Sequence, residues 1–305
     1  MTGRAPLIAL LVMLGIGWGV TQPLAKIAVS DGYRHFGLVF WQLAIGAVAL
    51  GVVSAIRRKG LPMTGPHLRF YVLIALIGTV LPNSASYQAA VYLPAGVISI
   101  VISLVPMFAF PIALLMATDR FSWARLCGLL LGLAGVALIV GPEASLPERA
   151  MIAWVPVAMI APAFYALEGN VVAKWGTRGL DPVQVLFGAS LIGTLLALPL
   201  TLATGQWIDP RPPWGAPDMA VVLAALIHAV VYATYVWLVG RAGAVFAAQG
   251  SYLVTGSGVL WAMVLLGESY SGWVSLALGL MFGGLFLVQP RPTTRLAQQA
   301  AAGDT

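Results

Sequence analysis

Ten apolar runs, most of them about 20 residues long, follow one another along the chain with only short polar or Gly/Pro-containing breaks between them. A helix of about 20 residues crosses the roughly 30 Å hydrocarbon core of a bilayer. Only 9% of the residues are charged, whereas soluble domains carry about 25%, so the composition excludes a soluble protein. The predicted spans are 5–28, 36–56, 68–91, 95–116, 122–141, 150–173, 182–204, 217–239, 244–266 and 272–289.

The first run begins just after Arg4, as a signal peptide can, but it is too long for a typical signal-peptide core, so we interpret it as the first membrane helix. The net charge of +6 fits cytoplasmic loops rich in Lys and Arg better than nucleic-acid binding. Placing the N-terminus in the cytoplasm puts twelve of the sixteen Lys and Arg residues on the inside. Both termini are therefore predicted to be cytoplasmic. The single cysteine, Cys127, allows neither an internal disulfide nor a Cys-based metal site.

The two halves of the chain show an internal repeat with an offset of 148 to 149 residues. The paired positions include Lys26 and Lys174, Tyr87 and Tyr235, Ser103 and Ser251, Asp119 and Glu268, and Ser122 and Ser271. Because each unit holds five helices, the second unit enters the membrane from the opposite side. We predict an all-α integral membrane protein with ten transmembrane helices as two inverted five-helix repeats. The predicted domains are 1–143, 144–290 and a disordered cytoplasmic tail, 291–305.

Several motifs point to a known family. They are Trp18-Gly19 in the first span, Pro106 in the fourth, and an acidic turn followed by a Gly-rich helix that closes each repeat, with Asp119 then Gly128, Gly132 and Gly135, and with Glu268 then Gly279, Gly283 and Gly284. Over residues 5–289 the chain resembles the ten-helix, EamA-domain branch of the drug/metabolite transporter superfamily. It departs from that pattern at Gln42, where many members carry an arginine, and at 117–119, where the family usually shows Gly-Glu.

The resemblance implies transport of a small molecule by alternating access without ATP hydrolysis. Members move amino acids, other metabolites, amines or drugs, often outward across the bacterial inner (plasma) membrane. The first, third, fourth, sixth, eighth and ninth helices are then expected to surround the cavity. The fifth and tenth are expected to be peripheral, where they serve packing or dimer contacts.

Glu168 is the strongest candidate for a functional residue, because a charge inside the membrane is costly and usually has a role. Tyr165 lies three residues earlier on the same helical face. The carboxylate is expected to bind an ammonium group or a coupling proton. The alternative is a structural carboxylate held by Lys174 or by backbone donors of a neighbouring helix.

The other candidate substrate-binding residues are polar or aromatic side chains inside apolar runs. His228, Tyr232 and Tyr235 share one face of the eighth span, with a buried, hydrogen-bonded histidine as the alternative. Helix–helix hydrogen bonding is the alternative for the candidates on the third span. Lys26 is expected to snorkel towards the interface. The remaining candidates are Trp18 and Gln22 on the first span, Asn83 and Tyr87 on the third, and Gln249 and Tyr252 on the ninth.

The sequence therefore predicts a secondary transporter for a small organic solute, an amino acid or a related polar or cationic metabolite, and the resemblance implies export as the direction. A channel or facilitator and a lipid-modifying membrane enzyme are the alternatives. The chain has no nucleotide-binding loop, and its three histidines show no ligand-like spacing. We expect no catalytic residue, cofactor, metal or nucleic-acid partner. The expected partners are the solute and the lipid bilayer, with a monomer or a homodimer as the assembly.

Overall fold

A computed structural model describes residues 4–141, 146–242 and 250–287, and within these ranges every regular element is a helix. The α-helices are α1 (Arg4–Ser30), α2 (His35–Ile56), α3 (Gly65–Ala75), α4 (Leu81–Tyr92), α5 (Ala95–Ile102), α6 (Val105–Leu115), α7 (Trp123–Val140), α8 (Val155–Trp175), α9 (Pro182–Ala203), α10 (Ala216–Ala242), α11 (Gly250–Leu266) and α12 (Gly272–Leu287). A π-helical turn, Leu76–Val80, joins α3 to α4, and a 3₁₀ turn, Arg149–Trp154, precedes α8.

These elements form ten apolar segments within the described residues, at the ten positions predicted. Eight segments are long and apolar enough to cross a membrane, and two shorter apolar helices follow them. The helix bounds differ from the predicted ones by three residues or fewer, except at two spans. At the sixth, the 3₁₀ turn Arg149–Trp154 takes the place of the first predicted α-helical residues, and at the ninth, residues 244–249 lie outside the described ranges. Large apolar side chains such as Val48, Val264 and Phe286 are exposed on the outside of the bundle, as lipid contact requires.

Two spans are not the single regular helices that the hydropathy pattern predicted. The third contains the π-helical turn Leu76–Val80, which holds one more residue than a regular helical turn. The fourth breaks at Ser103-Leu104, between α5 and α6. Pro106 lies in the first turn of α6, where the missing backbone N–H of proline costs no helical hydrogen bond.

Contacts between loops and helix termini identify the two ends of the bundle. At one end, Tyr33 donates a hydrogen bond to Asp218 over 2.5 Å, and the backbone N–H of Phe36 donates to Gln206. At the other end, Lys59 donates to Asp181 over 2.7 Å. We call these the Tyr33 end and the Asp181 end. Successive segments run between them in alternate directions, as short connections require.

The packing pairs the helices of the two halves across the bundle. α1 packs on α10 and α11, α2 packs on α9, and α4 and α6 pack on α8. α7 packs mainly on α12, to one side of this arrangement. The largest group of buried apolar side chains surrounds the junction of α4 and α5 and includes Leu93, Val97, Ile98 and Leu104.

Side chains from both halves form hydrogen bonds with the free backbone C=O and N–H groups at the junction of α4 and α5. The Lys26 ammonium donates to the carbonyl oxygens of Ala90, Val91 and Leu93 over 2.8 to 3.3 Å. The Glu268 carboxylate accepts hydrogen bonds from the N–H groups of Ala95, at 2.7 Å, and Gly96, at 3.1 Å. The two charges are therefore matched to the negative C-terminus of α4 and the positive N-terminus of α5. The ammonium of Lys26 thus lies at the Tyr33 end of the bundle, and the expectation that it snorkels to the interface stays a prediction.

Asp181 organises the opposite end of the bundle. Its carboxylate caps the N-terminus of α9 by accepting from the N–H groups of Val183 and Gln184, and it also forms ion pairs with Arg57 and Lys59. Partial desolvation raises the pKa of Asp181, but the hydrogen bonds from Lys59 and Gln184 outweigh it, and the net effect is a lowered pKa. This carboxylate therefore stabilises the fold above its unfolded-state pKa, and the contribution is lost as the pH falls through the lowered value.

The two glycines Gly284 and Gly279 on α12 provide a matched test of the α7–α12 packing. A Cβ atom at Gly284 would lie 2.6 Å from the carbonyl oxygen of Gly128 on α7, whereas no atom lies within 4 Å of a Cβ at Gly279. We expect Gly284→Ala to lower the midpoint of thermal unfolding in detergent, through a cost of about 1–3 kcal/mol in the free energy of unfolding. Gly279→Ala should leave the midpoint unchanged or raise it. Equal midpoints for the two variants would contradict this packing.

Candidate functional site

The Glu168 carboxylate lies inside the helix bundle, on the last two turns of α8. Its side chain is buried, with 8% of the residue exposed. Oε1 of Glu168 accepts a hydrogen bond from the Tyr232 hydroxyl on α10 over 3.1 Å. Lys174 does not hold Glu168, because its ammonium donates to the carbonyl oxygen of Met116 over 2.8 Å. The structural alternative with Lys174 as the partner is therefore wrong.

Gly78, in the π-helical turn of the third span, leaves room for this carboxylate. A Cβ atom added at Gly78 would lie 2.6 Å from Oε1 of Glu168 and 3.0 Å from Oε2. Only glycine allows the backbone of the turn to approach the carboxylate this closely. A π-helical turn is rare and often marks a functional site. Gly78 and Glu168 therefore bring the third span and α8 together inside the bundle.

Aromatic side chains from α1 and α10 form one wall beside Glu168. The ring of Trp18 lies 5.5 Å from that of Tyr235, 5.8 Å from Tyr232 and 6.1 Å from His228, between centroids. Nε1 of Trp18 donates a hydrogen bond to Nδ1 of His228 over 3.3 Å. Because an indole nitrogen can only donate, Nδ1 of His228 must be an unprotonated acceptor in this arrangement. The wall can stack against a cationic or aromatic group.

A chain of polar side chains links α2, α4 and α8. Tyr165 donates to Oδ1 of Asn83, and Nδ2 of Asn83 donates to Oε1 of Gln42 over 2.9 Å. The Tyr87 hydroxyl donates to the same Gln42 oxygen over 2.5 Å. Asn83 and Gln42 are both buried. Asn83 and Tyr87 therefore form the interhelical hydrogen bonds proposed as the alternative to a cavity role, and Gln42 is their shared acceptor.

Two cavities lie beside these groups. The larger has an empty volume of about 460 Å³ and is lined by Gln42, Leu43, Gly46, Leu50, Ile74, Thr79, Glu168, Leu186, Ala189, Ser190, Ala225, His228, Ala229 and Tyr232. The smaller has about 240 Å³ and is lined by Leu24, Ala25, Ala28, Leu38, Gln42, Tyr87, Ala220, Val221, Ala224 and Ala225. The second and seventh spans thus contribute to these walls. The fourth span and the described part of the ninth do not, in contrast to the expectation from the resemblance.

The structure brings most of the predicted site residues together. Glu168, His228 and Tyr232 line the larger cavity and Tyr87 the smaller one, while Trp18, Asn83, Tyr165 and Tyr235 contact these residues or the helices that carry them. Gln22 is half-buried on α1 and lines neither cavity. Gln249 and the side chain of Tyr252 lie outside the described part of the protein.

Sequence reasoning missed Gln42, Thr79 and Ser190, which line the larger cavity. Each is a polar residue in the interior of an apolar run, which is the signal that identified Glu168 and could have identified these three. Among the described residues, no three His, Cys, Asp or Glu side chains come together as a set that could hold a metal ion.

The neighbouring residues Asn83 and Ser84 test the polar chain. Asn83 connects Gln42 with Tyr165, whereas the buried Ser84 hydroxyl has no hydrogen-bond partner. Asn83→Ala removes the acceptor of the Tyr165 hydroxyl and one of the two donors to Gln42, so we expect a cost of about 1–3 kcal/mol and a lower midpoint of thermal unfolding. Ser84→Ala should leave the midpoint unchanged or raise it. A midpoint for Asn83→Ala equal to that of the wild type would show that the chain contributes nothing to stability.

Comparison with known proteins adds two relatives along almost the whole chain. The chain is 25% identical over 300 residues to a protein of Streptantibioticus cattleyicolor named "Probable terminal-alkyne amino-acid exporter", with 96% of each protein covered. It is 26% identical to "Uncharacterized transporter YvbV" of Bacillus subtilis, over 99% of this chain and 95% of the relative. A solved structure, titled "Crystal structure of protein", shares the fold with a TM-score of 0.61 at 22% identity, over 94% of this chain and 98% of that one.

The family comparison agrees with the helical architecture. The profile of the EamA-like transporter family matches the chain twice, over residues 5–141 and 152–289. Together with the ten helical segments of the described residues, these matches confirm the predicted fold class, an all-α integral membrane protein with ten transmembrane helices as two inverted five-helix repeats. The chain belongs to the EamA-like transporter family.

Proposed function

We propose that the protein is a secondary transporter that moves a small organic solute with a cationic amine, an amino acid or a related polar or cationic metabolite, by alternating access. The observation that carries the proposal is the buried Glu168 carboxylate in the wall of the larger cavity. A carboxylate in the membrane interior needs a positive partner or a proton. Its hydrogen-bond partner, the Tyr232 hydroxyl, carries no charge.

The lysines on two helices that carry site residues, Lys26 on α1 and Lys174 on α8, are bound elsewhere. Lys174 donates to Met116 at the Asp181 end, and Lys26 donates to the carbonyl groups of the α4–α5 junction at the Tyr33 end. The positive partner of Glu168 is therefore an ammonium group of the solute while the solute is bound, and a coupling proton while the cavity is empty. The aromatic wall of Trp18 and Tyr232 favours a cation or an apolar side chain on the solute.

The relatives support the substrate class and the direction. The Streptantibioticus cattleyicolor relative is named as an amino-acid exporter, and export of an amino acid or a related amine is the direction we propose for this chain. Both relatives carry transporter names. The cavity that Glu168 lines supports binding of a solute, and we propose no catalytic role for it.

We further propose that the protein lies in the bacterial inner membrane with both termini in the cytoplasm. The Asp181 end carries Arg57, Lys59, Lys174 and Arg178, whereas Lys26 and Arg34 lie towards the Tyr33 end. An excess of Lys and Arg is typical of cytoplasmic loops. The Asp181 end is then cytoplasmic, and the Tyr33 end faces outward.

Transport in proteoliposomes tests the role of Glu168. A panel of radiolabelled amino acids and amines is first screened for counterflow, and the solute with the largest signal is used afterwards. Glu168→Gln keeps the shape of the side chain but removes its charge, so we expect counterflow to fall by about tenfold or more, with loss of the wild-type pH dependence. Asp209→Asn, at an exposed loop position, should transport like the wild type. Transport by Glu168→Gln at the wild-type rate, with unchanged pH dependence, would make Glu168 a structural residue.

Cysteine labelling tests the orientation. Cys127→Ser gives a background without cysteine, into which Asp31→Cys and Gly60→Cys place one thiol at the Tyr33 end and one at the Asp181 end. Both positions are exposed. We expect a membrane-impermeant maleimide to label Asp31→Cys in intact cells and to label Gly60→Cys only after permeabilisation. The reverse pattern would invert the proposed topology.

A further inference from the structure

The two cavities lie at different depths of the bundle. The residues that line only the smaller cavity lie towards the Tyr33 end. Ala28 is close to the end of α1, and Leu38 and Ala220 are close to the starts of α2 and α10. The larger cavity extends towards the Asp181 end, with Leu50 near the end of α2 and Leu186 near the start of α9.

Among the described residues, only Gln42 and Ala225 line both cavities. Gln42 lies seven residues after the start of α2, roughly 10 Å along the helix from the Tyr33 end. Ala225 lies on α10, and α10 packs on α2. The boundary between the cavities is therefore a long polar side chain from the first half of the chain next to a small side chain from the second half.

The Gln42 side chain is held across this boundary by its own hydrogen bonds. Oε1 of Gln42 accepts from Nδ2 of Asn83 and from the Tyr87 hydroxyl, and only 9% of the residue is exposed. Through Asn83, the hydrogen bonds continue to Tyr165 on α8. A side chain fixed by two donors cannot change its rotamer without losing both bonds. The side chain of its neighbour Ala225 has no polar atom with which to bind it.

We propose that Gln42 is the gate between two half-channels, with Ala225 as the surface against which it closes. The proposal rests on the transport function proposed above, because a gate matters only where a solute passes. Relative movement of the two halves draws Ala225 away from Gln42, which stays bound to Asn83 and Tyr87 in its own half. The gate is a neutral amide, so its opening moves no charge through the membrane interior. Glu168 and His228, which line the larger cavity, lie on the side of the Asp181 end.

The gate has a direct consequence for the access of water-soluble reagents. Ser190 lines only the larger cavity, and Ala224 lines only the smaller one. With the gate closed, a thiol at each position is open to reagent from one side of the membrane only. Substitution of Gln42 by alanine removes the barrier, and each thiol then becomes accessible from both sides.

Sided labelling tests the proposal without knowledge of the solute. Ser190→Cys and Ala224→Cys are made separately in the Cys127→Ser background, and their reaction with the membrane-impermeant trimethylammonium-ethyl methanethiosulfonate is measured in right-side-out and inside-out vesicles. We expect each thiol to react about tenfold or more faster from its own end, Ala224→Cys from the Tyr33 end and Ser190→Cys from the Asp181 end. Addition of Gln42→Ala should bring the two rates together.

Gln88→Ala is the matched control, because Gln88 is a half-buried glutamine on α4 that lines neither cavity. It should preserve the sidedness. Tyr87→Phe removes one of the two hydrogen bonds to Gln42 and keeps the aromatic ring, so it should reduce the sidedness in part. This variant serves as the test if Gln42→Ala does not fold. Unchanged sidedness in folded Gln42→Ala or in Tyr87→Phe, or equal rates from both sides with Gln42 intact, would overturn the gate. If the thiols are labelled as expected but no solute shows counterflow, the proposed transport function is overturned and the gate is not.

Discussion

The requirement that backbone polar groups be satisfied inside the bilayer governs this structure most visibly where the chain turns between α4 and α5. The carbonyl groups at the end of α4 are bound by Lys26, and the N–H groups at the start of α5 are bound by Glu268. Lys26 comes from the first helix, and Glu268 comes from the turn between α11 and α12. The buried junction therefore holds together only when distant parts of the chain are in place, and this couples the two halves of the protein.

The same requirement explains the interior of the bundle. Each polar side chain in the chain from Tyr165 through Asn83 to Gln42 has a partner on another helix, so the apolar runs can carry polar groups without leaving them unsatisfied. Glu168 differs from them because it is itself an ionisable carboxylate, whereas its hydrogen-bond partner is a neutral hydroxyl. The polar contacts that stabilise the bundle and the cation binding proposed for Glu168 therefore depend on different side chains of the same interior.

Hydropathy was sufficient to predict the ten segments, because the length of an apolar run is itself the quantity that a bilayer selects. It could not predict the π-helical turn at Leu76–Val80 or the break at Ser103-Leu104, since neither changes the apolar character of the run. Polar residues inside apolar runs predicted much of the candidate site, including Tyr165, Glu168 and His228. The backbone partners of Lys26 could not be predicted, nor could the place of Gln42 as an acceptor of two hydrogen bonds that also lines both cavities. Both depend on which helices meet in three dimensions.

The π-helical turn also determines which faces the third span presents. Each extra residue in a helix rotates everything that follows by about 100° relative to a regular helix. α3, before the turn, packs on α9, whereas α4, after it, packs on α8 and directs Asn83 and Tyr87 to Gln42. Gly78 lies within this turn against Glu168. A return of these five residues to regular α-helical geometry would rotate α4 relative to α3 and turn Asn83 and Tyr87 away from Gln42.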